Sequence, residues 1–421
     1  MKSVCIRSIA RLAALRLGGK WAKERSMAQD VRFIVVNADD GLRSELRAVL
    51  LSVSGVKIVA EVDEPALLER AVKQFQVNAV LLNLDPSPQA VLPVVAEVVA
   101  ASENLTFIAT SESTDGKLIL ESIRLGIKEF LPKPIEAKAL SETIERINST
   151  RVTTMPMGKL ISVMGASGGV GASMLATNLA AELAGLAEGR VTIVDLDYRF
   201  GQVATLLDVT PKYTVADLCQ SPEALEAQVV ERALVKHGSG LQVLSRPSSL
   251  AQAETITAAS CVGMLSSLLQ FNDYVVVDGP TRFDLHALPV LDLSDSHFLL
   301  VQQLVPTVRN AQRILDDLSG NGYGPERMNL ICNRVGRNAS VLSVADVAST
   351  LDLSAFATIP DDWQTVSAAI NLGETLQQHG PKTKVREAIQ EIAKRLHSPV
   401  SETDDKGTQK KGLIGRIFAS S

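Results

Sequence analysis

Two sets of residues have types and spacings that suit chemistry on a phosphate. The first lies in ISVMGASGGVGAS, residues 161–173, where Gly165, Gly168, Gly169 and Gly171 precede Ala172 and Ser173. Glycines at this density let successive backbone N–H groups converge on an anion, and a hydroxyl at the end of such a loop can hold Mg²⁺. The second set is acidic. VTIVDLD carries Asp195 and Asp197, and DYVVVDGP carries Asp278. An acid closing an apolar strand lies where ligands of open α/β sheets bind, outside the carboxyl ends of the strands. One part is missing. A phosphate loop of the pattern G-x-x-x-x-G-K-[ST] places a lysine against the phosphates, and residues 161–173 contain no lysine.

Elements of the right kind surround both sets. KLISVM before the loop reads as a strand, and Leu175, Leu179 and Leu183 after it form one apolar stripe of a helix. A helix starting at Ala172–Ser173 aims its positive end at the loop. Further apolar runs (RVTIVDLD, GLQVLS, DYVVVDG, HFLLVQQ, MNLICNR) show little alternation, as strands buried on both faces do. An earlier block, 31–149, alternates VRFIVV, VKIVAEV, AVLLNL, LTFIAT and KEFL with helical segments. That spacing predicts a second parallel sheet, because parallel strands need crossovers. The expected fold class is α/β, with two doubly wound parallel-sheet domains.

Composition narrows the function. Aromatics are 4% and the formal net charge is −5, which argues against base-stacking modules and gives no general pull toward nucleic acid. Cys5, Cys219, Cys261 and Cys332 are scattered, fitting a reducing compartment with neither a disulfide framework nor a zinc site. No apolar run reaches the roughly 18 residues of a membrane span. Residues 1–29 carry a charge of +6, leaving −11 elsewhere. They read either as a basic amphipathic extension or as residues preceding a true start at Met27.

The order of motifs from 159 to about 380 resembles the MinD/ParA family of deviant Walker ATPases. SGGVGASMLATNLA follows that family's K-G-G-V-G-K-[ST] pattern, ICNRVG its adenine-side strand end, and TIPDDWQTV its I-P-[DE] segment. The resemblance implies ATP and Mg²⁺ as ligands of a homodimer. Gly168, Gly169, Val170, Gly171, Ala172 and Ser173 would cradle phosphates. Ser173 would ligate Mg²⁺, with Asp278 holding it through water and Asp195 also on the metal side. Asp197 would be the catalytic residue, while Asn333, Arg334, Pro360 and Asp361 would border the base. The family's two lysine positions fall on Ser167 and Ala172. Losing both predicts binding without rapid turnover, since a charge supplied across a dimer is worth roughly 10³–10⁵ in rate.

Block 31–149 resembles a response-regulator receiver across its length. The resemblance assigns the phosphate-accepting position to Asn83, the hydroxyl position to Thr110 or Ser111, and the lysine to Lys133 before Pro134. Asn37 and Ala38 stand where an acidic pair usually starts, with Asp39, Asp40 and Asp85 nearby. An amide is a poor nucleophile, so the expectation is a pseudo-receiver that binds a partner without phosphorylation.

A receiver-like domain ahead of an altered MinD/ParA-like domain resembles the CpaE/TadZ family of Flp (tight-adherence) pilus assembly proteins. That implies a localisation factor for pilus or secretion machinery. The closing QKKGLIGRIFASS adds a basic amphipathic tail: Leu413, Ile414, Ile417 and Phe418 share a helical face flanked by Lys410, Lys411 and Arg416. It resembles a membrane-targeting helix, implying a cytoplasmic protein peripheral on the inner membrane. The expected divisions are a basic extension 1–30, a receiver-like domain 31–149, a linker 150–158, an ATPase-like domain 159–398 and a tail 399–421. The rival readings are an active ParA/MinD-type partitioning ATPase and a response-regulator signalling protein.

Overall fold

The computed structural model describes residues 30–102, 104–150, 157–220, 227–280, 287–336 and 342–397. The basic segment 1–29 and the tail, including Lys410 to Phe418, lie outside the described residues.

Two sheets organise the chain. The first takes β1 (Val31–Val36), β2 (Val56–Val62), β3 (Ala79–Asn83), β4 (Thr106–Ser111) and β5 (Glu129–Pro132) in the order β2-β1-β3-β4-β5, all parallel. Between and after them run α1 (Arg43–Ser52), α2 (Leu68–Gln74), α3 (Pro88–Ala101), α4 (Gly116–Arg124) and α5 (Ala137–Thr150). Every residue of β1 and β3 is buried, the result of helices covering both faces. This is the flavodoxin-like strand order, whose switch point lies between β1 and β3.

The second sheet starts with β6 (Lys159–Gly165), α6 (Ala172–Leu186) and β7 (Val191–Asp195). Short helices α7 (Val203–Leu206), α8 (Val215–Cys219) and α9 (Ala227–Ala233) lead to β8 (Val235–Lys236) and β9 (Gln242–Leu244). Next come α10 (Leu250–Ala253), α11 (Ala258–Phe271), β10 (Tyr274–Asp278), α12 (Ala287–Leu293), β11 (Ser296–Val301) and α13 (Val305–Gly320). The chain continues through β12 (Met328–Val335), α14 (Val344–Leu351), β13 (Ala355–Pro360), α15 (Trp363–Leu372), α16 (Leu376–His379) and α17 (Lys384–His397). The order is β13-β12-β11-β6-β10-β7-β9-β8, parallel except for the β8–β9 pair. The apolar stripe of α6 is fully buried: Leu175, Leu179 and Leu183 have no exposed surface.

The two sheets are not separate bodies. One hydrophobic cluster runs from Leu46, Leu50 and Ile58 of the first domain to Leu291, Leu318 and Tyr323 of the second. Ion pairs cross the same boundary, with Lys57 Nζ 2.7 Å from Asp295 Oδ1.

Candidate phosphate-binding site

β6 ends at Gly165, and the loop after it turns directly into α6. The turn needs backbone that side chains with a Cβ rarely adopt: φ is +76° at Gly169 and +100° at Gly171. A Cβ on Gly171 would also stand 2.4 Å from Asn333 Nδ2. Gly171 caps α6 without a side chain, and the first helical bond runs from Leu175 N to the Gly171 carbonyl at 3.0 Å. The N–H groups of Ala172, Ser173 and Met174 therefore have no acceptor within the helix. They join the positive end of the helix dipole at the cavity wall, an arrangement that suits an anion.

Two strand ends staple the loop. Asn333, at the end of β12, donates from Nδ2 to the Val170 carbonyl at 2.7 Å. Gln302, just past β11, donates from Nε2 to the Gly169 carbonyl at 3.2 Å. Asn333 is almost fully buried, and its Oδ1 accepts the Arg334 N–H at 2.9 Å, so its amide serves the loop and the strand end together.

The loop forms one wall of a 960 Å³ cavity, within the range of ligand sites. Gly168, Gly169, Val170, Gly171, Ala172 and Ser173 line it, together with Asp197, Asp278, Asn333, Arg334, Pro360 and Asp361. Ser167 and Ala172 line it too, uncharged. Among the described lining residues the cations are Arg199, exposed on the loop after β7, and Arg334. The Arg334 guanidinium lies 5.3 Å from the centre of the Trp363 ring, and both residues line the cavity along with Pro360 and Asp361.

The three acids separate by environment. Asp278 is 1% exposed and lies beside the Ser173 hydroxyl. Burial pushes its carboxyl up to about 6, against the nearby Ser173 hydroxyl and with help from the Asp197 charge. Its Oδ2 is buried with no protein partner. A hydroxyl beside an orphaned buried carboxylate oxygen fits Mg²⁺, which takes few protein ligands and keeps waters and phosphates. Asp195 sits beside Asp278 in register, but not on the cavity wall. Its Oδ1 accepts the Asp197 N–H at 3.1 Å and its Oδ2 the Val203 N–H at 3.1 Å. Burial, and then the Asp278 charge, raise it to about 8. Both oxygens of Asp195, expected on the metal side, thus hold the backbone that follows β7. Asp197 does face the cavity, while its Oδ1 accepts the Phe200 N–H at 3.0 Å and fixes the loop carrying Arg199.

In the first domain the polar positions divide differently from the sequence expectation. Asn83 donates to Asn37 Oδ1 at 2.7 Å, and its own Oδ1 accepts the Asp85 N–H at 3.1 Å. Lys133 turns to Asp85, with Nζ 2.8 Å from Oδ2, and Ser111 donates to Asp85 Oδ1 at 2.6 Å. Thr110 Oγ1 is buried without a partner. Burial pushes the Asp85 carboxyl up, but Lys133, Ser111 and the Glu112 N–H outweigh it and hold it below the usual carboxylate range. The lysine and the hydroxyl are therefore occupied by a carboxylate two residues beyond Asn83.

Gln302, Arg199 and Trp363 were not singled out by sequence reasoning. Arg199 and Trp363 had a signal: each lies within a few residues of an acid already marked, Asp197 and Asp361. Gln302 had none, since its bond depends on the neighbouring placement of β6 and β11.

No protein-family model matches the chain. The septum site-determining protein MinD of Thermotoga maritima is 26% identical over 269 residues, covering 62% of this chain and 96% of that protein. The antiactivator FleN of Pseudomonas aeruginosa is 26% identical over 251 residues, covering 57% of this chain and 86% of that protein. Among solved structures, a ParA-family ATPase from Chlorobium tepidum superposes with a TM-score of 0.54 at 20% identity, covering 57% of this chain and 99% of that one. The curated relatives carry different outputs by name, so the likeness describes a module rather than a task. The cradle on α6, the Ser173–Asp278 pair and these matches together make the second half of this chain a MinD/ParA-like P-loop ATPase domain.

Proposed function

We propose that the chain is a MinD/ParA-type nucleotide switch that binds ATP with Mg²⁺, turns it over slowly, and acts as a positioning factor. The observation that carries the reading is Ser173 beside the buried Asp278, whose Oδ2 has no protein partner, on the wall of a cavity lined by the glycine loop. Residues Gly168 to Ser173 would receive the phosphates through backbone donors. Ser173 and Asp278 would hold Mg²⁺, which neutralises phosphate charge when bound. Asp197, one of the acids on the cavity wall, would accept a proton from water. Arg334, Trp363, Pro360 and Asp361 would enclose the base.

Slow turnover follows from charge. Ser167 and Ala172 supply none, so a bound phosphate depends on backbone dipoles, the metal and Arg199. The comparisons favour a cycling ATPase as the alternative, and rate separates the two readings. Calorimetric titration with ATP, with and without Mg²⁺, tests binding; single-turnover cleavage tests chemistry. No binding overturns the proposal, and fast turnover favours the alternative.

The wider task rests on sequence. The receiver-like domain and the tail support a pilus or secretion localisation factor, working as a homodimer at the cytoplasmic face of the inner membrane. Among the described residues no helix is long and apolar enough to cross a membrane. A chain lacking 410–421 should no longer sediment with anionic vesicles; unchanged sedimentation overturns the tail's role.

A further inference from the structure

α12 touches two places at once. Ala287 and Val290, one turn apart, line the phosphate cavity. Asp292, on the other side of the same helix, faces the first domain and is 3% exposed. There it meets Arg47 of α1, itself 4% exposed. Arg47 Nη2 lies 2.6 Å from Asp292 Oδ1, and Nη1 lies 3.1 Å from Oδ2, a two-point fork.

All five guanidinium donors are used. Besides the fork, Nε donates to the Asn321 carbonyl at 3.1 Å, Nη1 to Glu61, and Nη2 to the Tyr323 hydroxyl at 3.2 Å. The Tyr323 hydroxyl donates to Asp292 and lies 3.1 Å from the Leu288 carbonyl, one turn earlier on α12. A buried charge this fully engaged has one low-energy placement, and it fixes the helix it grips.

We propose that Arg47 is a positioning residue of the nucleotide cavity: through Asp292, the first domain sets where α12 stands and hence how tightly the cavity holds nucleotide. The proposal rests on the nucleotide reading above. Because coupling between binding equilibria is reciprocal, nucleotide would in turn firm the region around α1 and β2. The receiver-like domain then needs no phosphorylation to be informed of the cavity's state.

A second interdomain tie supplies the control. Lys57 on β2 pairs with Asp295, beyond the end of α12, at 2.7 Å and with Asp30 at 3.2 Å. None of these three residues lines the cavity. Removing this tie weakens the interface without releasing α12.

The test uses the full chain, a fluorescent ATP analogue with Mg²⁺, and the variants Arg47→Met, Arg47→Lys, Asp292→Asn and Lys57→Met. Melting curves identify the variants that fold; Arg47→Lys and Asp292→Asn keep the experiment open if Arg47→Met does not. Arg47 and Asp292 variants should change the dissociation constant by about five-fold or more. Lys57→Met should lower the melting temperature and leave the constant unchanged. Nucleotide should also slow amide exchange across residues 43–62 in the unmodified chain, and not in the Asp292 variant. Equal affinities in all folded variants, with no exchange change in 43–62, overturn the proposal while leaving nucleotide binding intact. Absence of binding by the unmodified chain is a different result, and removes the reading beneath it.

Discussion

The side-chain amide of Asn333 donates to the Val170 carbonyl at 2.7 Å, tying the end of β12 to the middle of the glycine loop. The residue expected at the base thus also shapes the phosphate cradle. Asn333→Ala should lower nucleotide affinity about tenfold, the scale of one buried hydrogen bond with its orphaned partner. Gly171→Ala should do more harm, because the added Cβ meets Asn333 in a left-handed backbone. A calorimetric titration of both variants checks this, and an unchanged constant for Asn333→Ala removes the staple from the account.

Charge is the second lever. With Ser167 and Ala172 neutral, Arg199 is the cation nearest in sequence to the acids on the cavity wall. Arg199→Ala should weaken binding of ATP more than of adenosine, since its partner would be phosphate. Conversely, Ala172→Lys should tighten ATP binding. Adding Ser167→Lys should speed single-turnover cleavage, by up to roughly 10³-fold if the chain dimerises over the nucleotide. No rate gain in the double variant would place the block to turnover elsewhere.

A pH dependence follows from Asp195. Its carboxyl keeps a proton to about pH 8 in the folded chain, against an ordinary value of 3.8. The folded state therefore binds the extra proton between those values. That contribution to stability is full below pH 3.8 and is lost as pH rises through 8. Asp278, raised to about 6, adds the same sign over a narrower window. The melting temperature of the nucleotide-free protein should fall from pH 5 to 8.5, and Asp195→Asn should flatten that slope. An equal slope in the variant would show that the proton resides on another group.

In the first domain, Asp85 holds Lys133 and Ser111 together. Asp85→Ala should cost about 1–3 kcal/mol in urea unfolding, because it leaves a largely buried ammonium without its partner. Small phosphodonors should not modify the unmodified chain, since Asn83 is an amide and the nearby carboxylate is engaged. Mass increase at Asp85 would reverse that expectation.

The parts legible in sequence were those set by local rules. Glycine spacing marks the β6–α6 turn because only glycine tolerates its backbone, and runs such as DYVVVD mark strands buried on both faces. Asp278 was legible because it closes such a run. What stayed hidden depends on distant partners. Asp195 and Asp197 look equivalent in VDLD, yet Asp195 closes β7 and holds the backbone at Val203, while Asp197, past the end of the strand, lines the cavity. Asp85 displaced Asn83 as the partner of Lys133 through a bond across 26 residues to Ser111, which no spacing rule marks. Arg47 and Asp292 are 245 residues apart, in two helices that read as unrelated.

That last pair bears on how this gene can be handled. The polar stretch around 150–158 invites a cut that would yield two tidy clones. Yet severing the chain there leaves Arg47 with Glu61 on one product and Asp292 with Tyr323 on the other, and uncovers on each the apolar surface that the two halves share. Either fragment expressed alone should be prone to aggregate, and the two should recover solubility when made together. Recombination between genes would meet the same barrier, so the two halves are bound to travel, and to change, as one inherited piece.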